Sequence, residues 1–192
     1  HAVMAALSPG FDEVGKVTII PRTNGAGGFT LFLPSDERQD SGMYARSYLE
    51  QRLQVALGGR VAEELRYGAG ETTTGASSDL QQVASLARRM VTQWGFAPEL
   101  GATAWESPNG SGGYGQAQMA SEATQVKIDA AVAEIVKEAY DTCKATLVAN
   151  RKLLDEVTAS LISEETIGND ELKQLVKAHQ AGPRAPEAAP SL

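Results

Sequence analysis

The sequence predicts a mainly α-helical domain with one small β-hairpin or edge sheet. Apolar residues recur at every third or fourth position, as in Leu49, Leu53, Leu57, Val61 and Leu65, the spacing of one helix face. Aromatic residues are only 6% of the chain, so the core must be built from Ala, Val, Leu and Ile, a composition that favours helices. Two β-branched or apolar runs, Lys16 to Pro21 and Phe29 to Leu33, flank the turn-rich Thr23-Asn24-Gly25-Ala26-Gly27-Gly28, and together they read as the hairpin.

His1 to Leu7 reads as the end of a helix, stopped by Ser8-Pro9-Gly10. It has no cap in front and no initiating Met, so the chain is expected to be a fragment of a longer protein. After the hairpin, Ser35 to Gly42 is polar and turn-like. A helix follows over Met43 to Tyr67, interrupted by Gly58-Gly59. Each of these glycines costs a helix about 1 kcal/mol relative to Ala, which a closely packed neighbouring backbone is expected to offset. Gly68 to Ser78 is a Gly/Thr/Ser loop. The next helix spans Asp79 to Gln93, with Leu80, Val83, Ala84, Ala87, Met90, Val91 and Trp94 on one face, and Gly95 closes it.

Ala97 to Ala120 is irregular, and Pro108 to Gly115 is flexible by composition. A long helix begins near Ser121 with Ile128, Val132, Ile135, Ala139, Cys143 and Leu147 as its buried stripe. Helices over Lys152 to Ile162 (Leu154, Val157, Leu161) and Asp170 to Ala178 (Leu172, Leu175, Val176) complete the domain, drawn as 1–180. Residues 181–192, with three prolines and little to bury, read as a disordered tail.

Several functions are excluded. The net charge of -7 comes with scattered Lys and Arg, which argues against a nucleic-acid partner. The single cysteine, Cys143, allows no internal disulfide and sits in an apolar stripe as a small core side chain. No apolar run reaches the roughly 20 residues of a membrane helix, and no signal peptide is expected within this stretch. Neither G-x-S-x-G nor G-x-x-x-x-G-K-[ST] occurs, so neither a serine nucleophile in a sharp turn nor ATP binding is expected of this chain.

Few residues are left for chemistry. His179, at a polar helix end, reads as structural or exposed. His1 would be the second histidine of an H-E-x-x-H metal helix if the preceding residues lay upstream; it reads equally as the remnant of a tag. Asp79 opens a helix, where the dipole and free N–H groups favour an acid, so local reasoning makes it a helix-end charge before it makes it a ligand. Glu63 and Glu64 point about 100° apart on their helix, so at most one faces a site.

Taken together the segments resemble the peptidase domain of the FtsH family. The resemblance rests on His1-Ala2-Val3, Gly15 to Arg22, Gly28 to Pro34, Ala56 to Glu64, Thr73 to Asp79 and Met90 to Phe96. These stretches stand in the family's order and cover the chain to about residue 178. The resemblance implies a helical zinc-peptidase fold, with His1 and Asp79 as zinc ligands. The first His and the general-base Glu would lie upstream, so no catalytic residue is expected within this chain and the fragment itself is expected to be inactive. Glu63 is implied near the site, orienting a ligand histidine, so that Glu63→Gln would weaken zinc retention. Two readings stand side by side for Gly28, Phe29, Thr30 and Leu31: an extended substrate adds to them as a strand, or they form a plain structural sheet.

For the parent protein, the resemblance implies an ATP-dependent zinc metalloendopeptidase that degrades membrane proteins processively. ATP and magnesium would be bound by an AAA ATPase module rather than by this chain. Homo- or hetero-hexamers, unfolded polypeptide substrates and N-terminal membrane helices are the implied partners. The stretch Pro34 to Glu50 is most similar to the chloroplast and cyanobacterial branch. That places the parent in the thylakoid membrane facing the stroma, or in a cyanobacterial membrane facing the cytoplasm. The alternative is a protease-inactive member serving as a structural ring subunit.

Overall fold

The computed structural model describes residues 1–21, 27–106 and 120–181. The first part of the hairpin turn, the Pro108 to Gly115 stretch and the tail beyond Ala181 lie outside the described residues. In chain order the elements are α1 (Ala2–Leu7), β1 (Glu13–Thr18), β2 (Phe29–Leu33), α2 (Asp36–Ser41), α3 (Arg46–Tyr67), α4 (Ser77–Thr92), α5 (Glu122–Ala149), α6 (Arg151–Glu164), β3 (Thr166–Gly168) and α7 (Asn169–Ala181). The mainly helical class therefore holds. The single domain drawn over 1–180 gathers into two compact units. One holds His1 and residues 43–146; the other holds residues 2–42 and the chain from 147 onward.

In the first unit α3 buries Leu49, Leu53, Val55, Leu57, Gly58 and Val61 against α4, which buries Val83, Ala87, Met90, Val91 and Thr92. The α4 face differs from the expected one at both ends. Leu80 and Ala84 are exposed. Thr92 is fully buried instead, because its hydroxyl is satisfied by the Arg88 carbonyl at 2.8 Å and the Glu106 carboxylate at 3.1 Å. A buried hydroxyl with acceptors loses the penalty that makes an orphaned one costly. Val91, Ala97, Leu100, Ala120, Ile128 and Ala131 form one apolar cluster. Polar ties bind the helices further. Arg88 donates to Glu106 at 2.7 Å and to Asp129 on α5 at 3.2 Å. Glu64 on α3 accepts from Lys144 of α5 at 2.8 Å and from the Tyr140 hydroxyl. Lys144 first, then Tyr140, holds the Glu64 carboxyl below its ordinary range. Cys143 is a buried free thiol, as its apolar stripe suggested, and burial pushes its pKa up to about 12.

In the second unit the expected hairpin is extended to three antiparallel strands in the order β2-β1-β3. β2 has the expected bounds. β1 runs from Glu13 to Thr18, three residues earlier than the reading of Lys16 to Pro21, and Ile19 and Ile20 follow it exposed. The turn after α6 ends the strand: the Glu165 carbonyl accepts from the Thr18 hydroxyl at 3.1 Å and from the Ile19 N–H at 3.0 Å. β3 escaped the sequence reading because three residues between helices show no alternation. Its support comes from far along the chain, where Asn169 donates to the Val14 carbonyl at 2.7 Å.

The polar stretch read as a turn folds instead as helix α2. Its Arg38 reaches back to Asp12 at 2.5 Å and to the Gly10 carbonyl, and Gly42 in the left-handed region caps it. Gly28 is required beside β2, since a Cβ there would lie 2.4 Å from the Thr18 carbonyl oxygen. Val3, Met4, Val14, Val17, Leu153, Val157, Ile167 and Leu172 fill this unit's interior.

Candidate metal centre

The first unit brings His1 and Asp79 together across 78 positions of sequence, with His1 Nε2 3.4 Å from Asp79 Oδ2. Helix α3 seats the histidine. Its Val55 carbonyl lies 2.7 Å from His1 Nδ1. A carbonyl can only accept, so Nδ1 carries a proton and a neutral ring keeps its lone pair on Nε2, facing Asp79. One turn along, Gly59 makes room: a Cβ there would stand 2.7 Å from Nε2 and 3.1 Å from Cε1. The helix glycine flagged in the sequence is thus offset by the His1 side chain, not by the neighbouring backbone that was expected.

Asp79 stands in the first turn of α4. Its polar partner among the described residues is His1, not the α4 backbone. Both side chains are about 30% exposed, so the pair is open to a ligand while retaining a partly desolvated setting. A carboxylate facing a neutral nitrogen lone pair is repulsive unless a cation or a proton lies between them. Among the described residues no group of three or more His, Cys, Asp or Glu side chains converges to hold a metal. Among the described residues His1 and Asp79 thus bring together two donor atoms.

The remaining candidates fall elsewhere. Glu63 accepts from the Thr73 N–H at 3.0 Å, so its hydrogen bond goes to the loop before α4 and not to His1. Glu64 faces α5. His179 pairs with Asn150 at 3.2 Å in the second unit. Gly28, Phe29, Thr30 and Leu31 lie beside or on β2, which among the described residues pairs with β1 at one side of the sheet. Sequence reasoning missed Arg60, which donates to the Thr73 carbonyl at 3.3 Å. It also missed the Val55 carbonyl, since a backbone acceptor leaves no trace in residue type.

This chain belongs to peptidase family M41, whose model matches residues 1–175. It is 44% identical over 94% of its length to the ATP-dependent zinc metalloprotease FtsH 3 of Synechocystis sp., of which it covers 30%. It is 43% identical over 94% of its length to the chloroplastic ATP-dependent zinc metalloprotease FTSH 1 of Oryza sativa subsp. japonica, covering 27% of it. The FtsH of Synechococcus sp. is 43% identical over 99% of this chain, with 30% of that protein covered. The chain thus spans less than a third of these relatives.

The pair fits the zinc that these names print. Two donors on one tetrahedral zinc, at about 2.05 Å for nitrogen and about 2.1 Å for oxygen, stand about 3.4 Å apart. The observed separation is 3.4 Å.

Proposed function

We propose that this chain is part of the peptidase portion of an ATP-dependent zinc metalloendopeptidase, and that His1 and Asp79 are two of its zinc ligands. The observation that carries this reading is the approach of His1 Nε2 to Asp79 Oδ2, with Nδ1 held by the Val55 carbonyl. A bound zinc supplies a Lewis acid for the scissile carbonyl and a water acidic enough to attack it. The chain's own residues orient that chemistry. The Val55 carbonyl fixes the tautomer, Gly59 clears space for the ring, and Asp79 supplies the negative charge. The further ligand and the general base are assigned to residues outside this sequence, so the chain alone is expected to hold zinc poorly and cleave nothing.

The β2 strand, at one side of the sheet order β2-β1-β3, is the proposed track for an extended substrate. Main-chain pairing there would accept unfolded polypeptides with little regard to sequence. Thr30→Pro is expected to raise KM, and unchanged degradation would count against the track. The relatives' names print ATP dependence, and their sources are chloroplasts and cyanobacteria; the reading assigns ATP hydrolysis to a separate module and the setting to a plastid or a cyanobacterium. A hexameric ring at the thylakoid membrane, acting on membrane proteins, completes the reading.

The test is zinc content and casein degradation by the whole protein with its ATPase module. About one zinc per chain with ATP-dependent cleavage, both lost in Asp79→Ala, is expected. A folded, ATP-hydrolysing assembly with neither zinc nor cleavage would make the protein a structural subunit instead.

A further inference from the structure

Helix α3 meets both halves of the site on consecutive turns of one face. Val55, Gly59 and Glu63 are spaced four apart, so they line one side of the helix. The first two seat His1. The third, with its neighbour Arg60, grips the main chain of Thr73 from both sides. The Thr73 N–H donates to Glu63 Oε1 at 3.0 Å, and Arg60 Nη1 donates to the Thr73 carbonyl at 3.3 Å.

From Thr73 the chain runs without a break into the helix that carries Asp79. The Thr73 hydroxyl accepts from the Gly75 N–H at 3.2 Å and caps a 3-10 turn over Thr74–Ala76, which passes directly into α4 at Ser77. Ser77 donates back to the Thr74 carbonyl, and Ala76 is buried. A displacement of Thr73 is therefore passed on to Asp79, because capped helical turns do not absorb it as a loose loop would.

We propose that Arg60 and Glu63 are positioning residues that pin Thr73 to α3 and thereby set the distance between Asp79 and His1. The inference rests on the zinc-site reading above and deepens it. It gives Glu63 a role through the loop rather than through a ligand histidine, and it assigns Arg60 a role. What the Thr73 N–H needs from residue 63 is an acceptor, not a charge, and a Gln side chain still offers a carbonyl oxygen. Leu fills similar space and offers none.

The experiment compares Glu63→Gln, Glu63→Leu and Arg60→Met in the whole protein. It has two readouts: the rate of zinc release to a colorimetric chelator, and hydrogen exchange of the backbone amides over residues 72–76. Glu63→Leu is expected to release zinc about tenfold faster than wild type, the usual scale for losing a supporting contact, with faster exchange over 72–76. Glu63→Gln should stay within about twofold in both. Arg60→Met should fall between, and excess zinc should restore cleavage in Glu63→Leu but not in Asp79→Ala.

Equal zinc release from Glu63→Gln and Glu63→Leu overturns the proposal: if both are faster than wild type, charge is the operative property, and if neither is, the contact does not hold the site. Faster exchange over 72–76 with wild-type zinc release in both Glu63→Leu and Arg60→Met overturns it too, since the grip would then not reach Asp79. A wild-type protein that holds no zinc sinks the metallopeptidase reading itself. That failure is recognisable because the exchange data would still show whether the grip on Thr73 exists.

Discussion

Replacing Gly59 by Ala sets two effects of known size against each other. In isolation the change favours helix α3 by about 1 kcal/mol, because Ala loses less backbone entropy than Gly. In place, the new Cβ would lie 2.7 Å from His1 Nε2, where ordinary contact begins near 3.4 Å, so the ring must retreat by about 0.7 Å. The ring is anchored at its other nitrogen by a 2.7 Å bond to the Val55 carbonyl. That bond stretches or breaks, a loss of about 1 kcal/mol. The two terms nearly cancel, so the melting temperature should move by no more than a few degrees.

The proposed metal site has no such compensation. Ligand positions are tolerated to about 0.2 Å, well below the required shift. Zinc retention and cleavage should therefore fall together by at least about tenfold, the scale expected when a ligand is misoriented. The assay is zinc release to a chelator by the whole protein, alongside its melting curve. Wild-type zinc release in a normally folded Gly59→Ala protein would refute the claim that the glycine exists to admit His1.

Three further outcomes are expected. Glu64 has a carboxyl held below its ordinary value near 4.5 by Lys144 and Tyr140, so its contribution to stability is present above pH 4.5 and lost as pH falls through its lower folded value. Glu64→Gln should flatten that part of the stability-against-pH curve, and an unchanged curve would remove the network from the account. Gly28→Ala should destabilise the three-stranded sheet by about 1–3 kcal/mol, read as a lower denaturant midpoint, because its Cβ meets backbone rather than a movable side chain. Cys143, buried and with its pKa raised to about 12, should resist thiol reagents until the protein unfolds; rapid labelling of the native protein would contradict its burial.

Local pattern carried most of the helical framework. The every-fourth-residue stripe of Leu49, Leu53, Leu57 and Val61 made α3 legible, and the β-branched and apolar runs made the hairpin legible, because burial on one face imposes a period that residue types record. Where tertiary contacts supply the stabilisation, that record fails. Asp36–Ser41 is a helix because Arg38 finds Asp12 and Gly10, and Thr166–Gly168 is a strand because β1 is there to pair with it.

The candidate site divides in the same way. His1, Asp79 and Glu63 could be named from residue type and motif order, and the Gly58-Gly59 pair announced an unexplained cost. What stands against Gly59, which carbonyl fixes the His1 ring, and where Glu63 sends its hydrogen bond were decided only in three dimensions. Two of these contacts join His1 to a helix more than fifty residues further on, and those to Val55 and Thr73 are made through backbone groups that every residue carries. A sequence records side-chain identity and spacing, and it leaves no mark for which main-chain atom a side chain will meet.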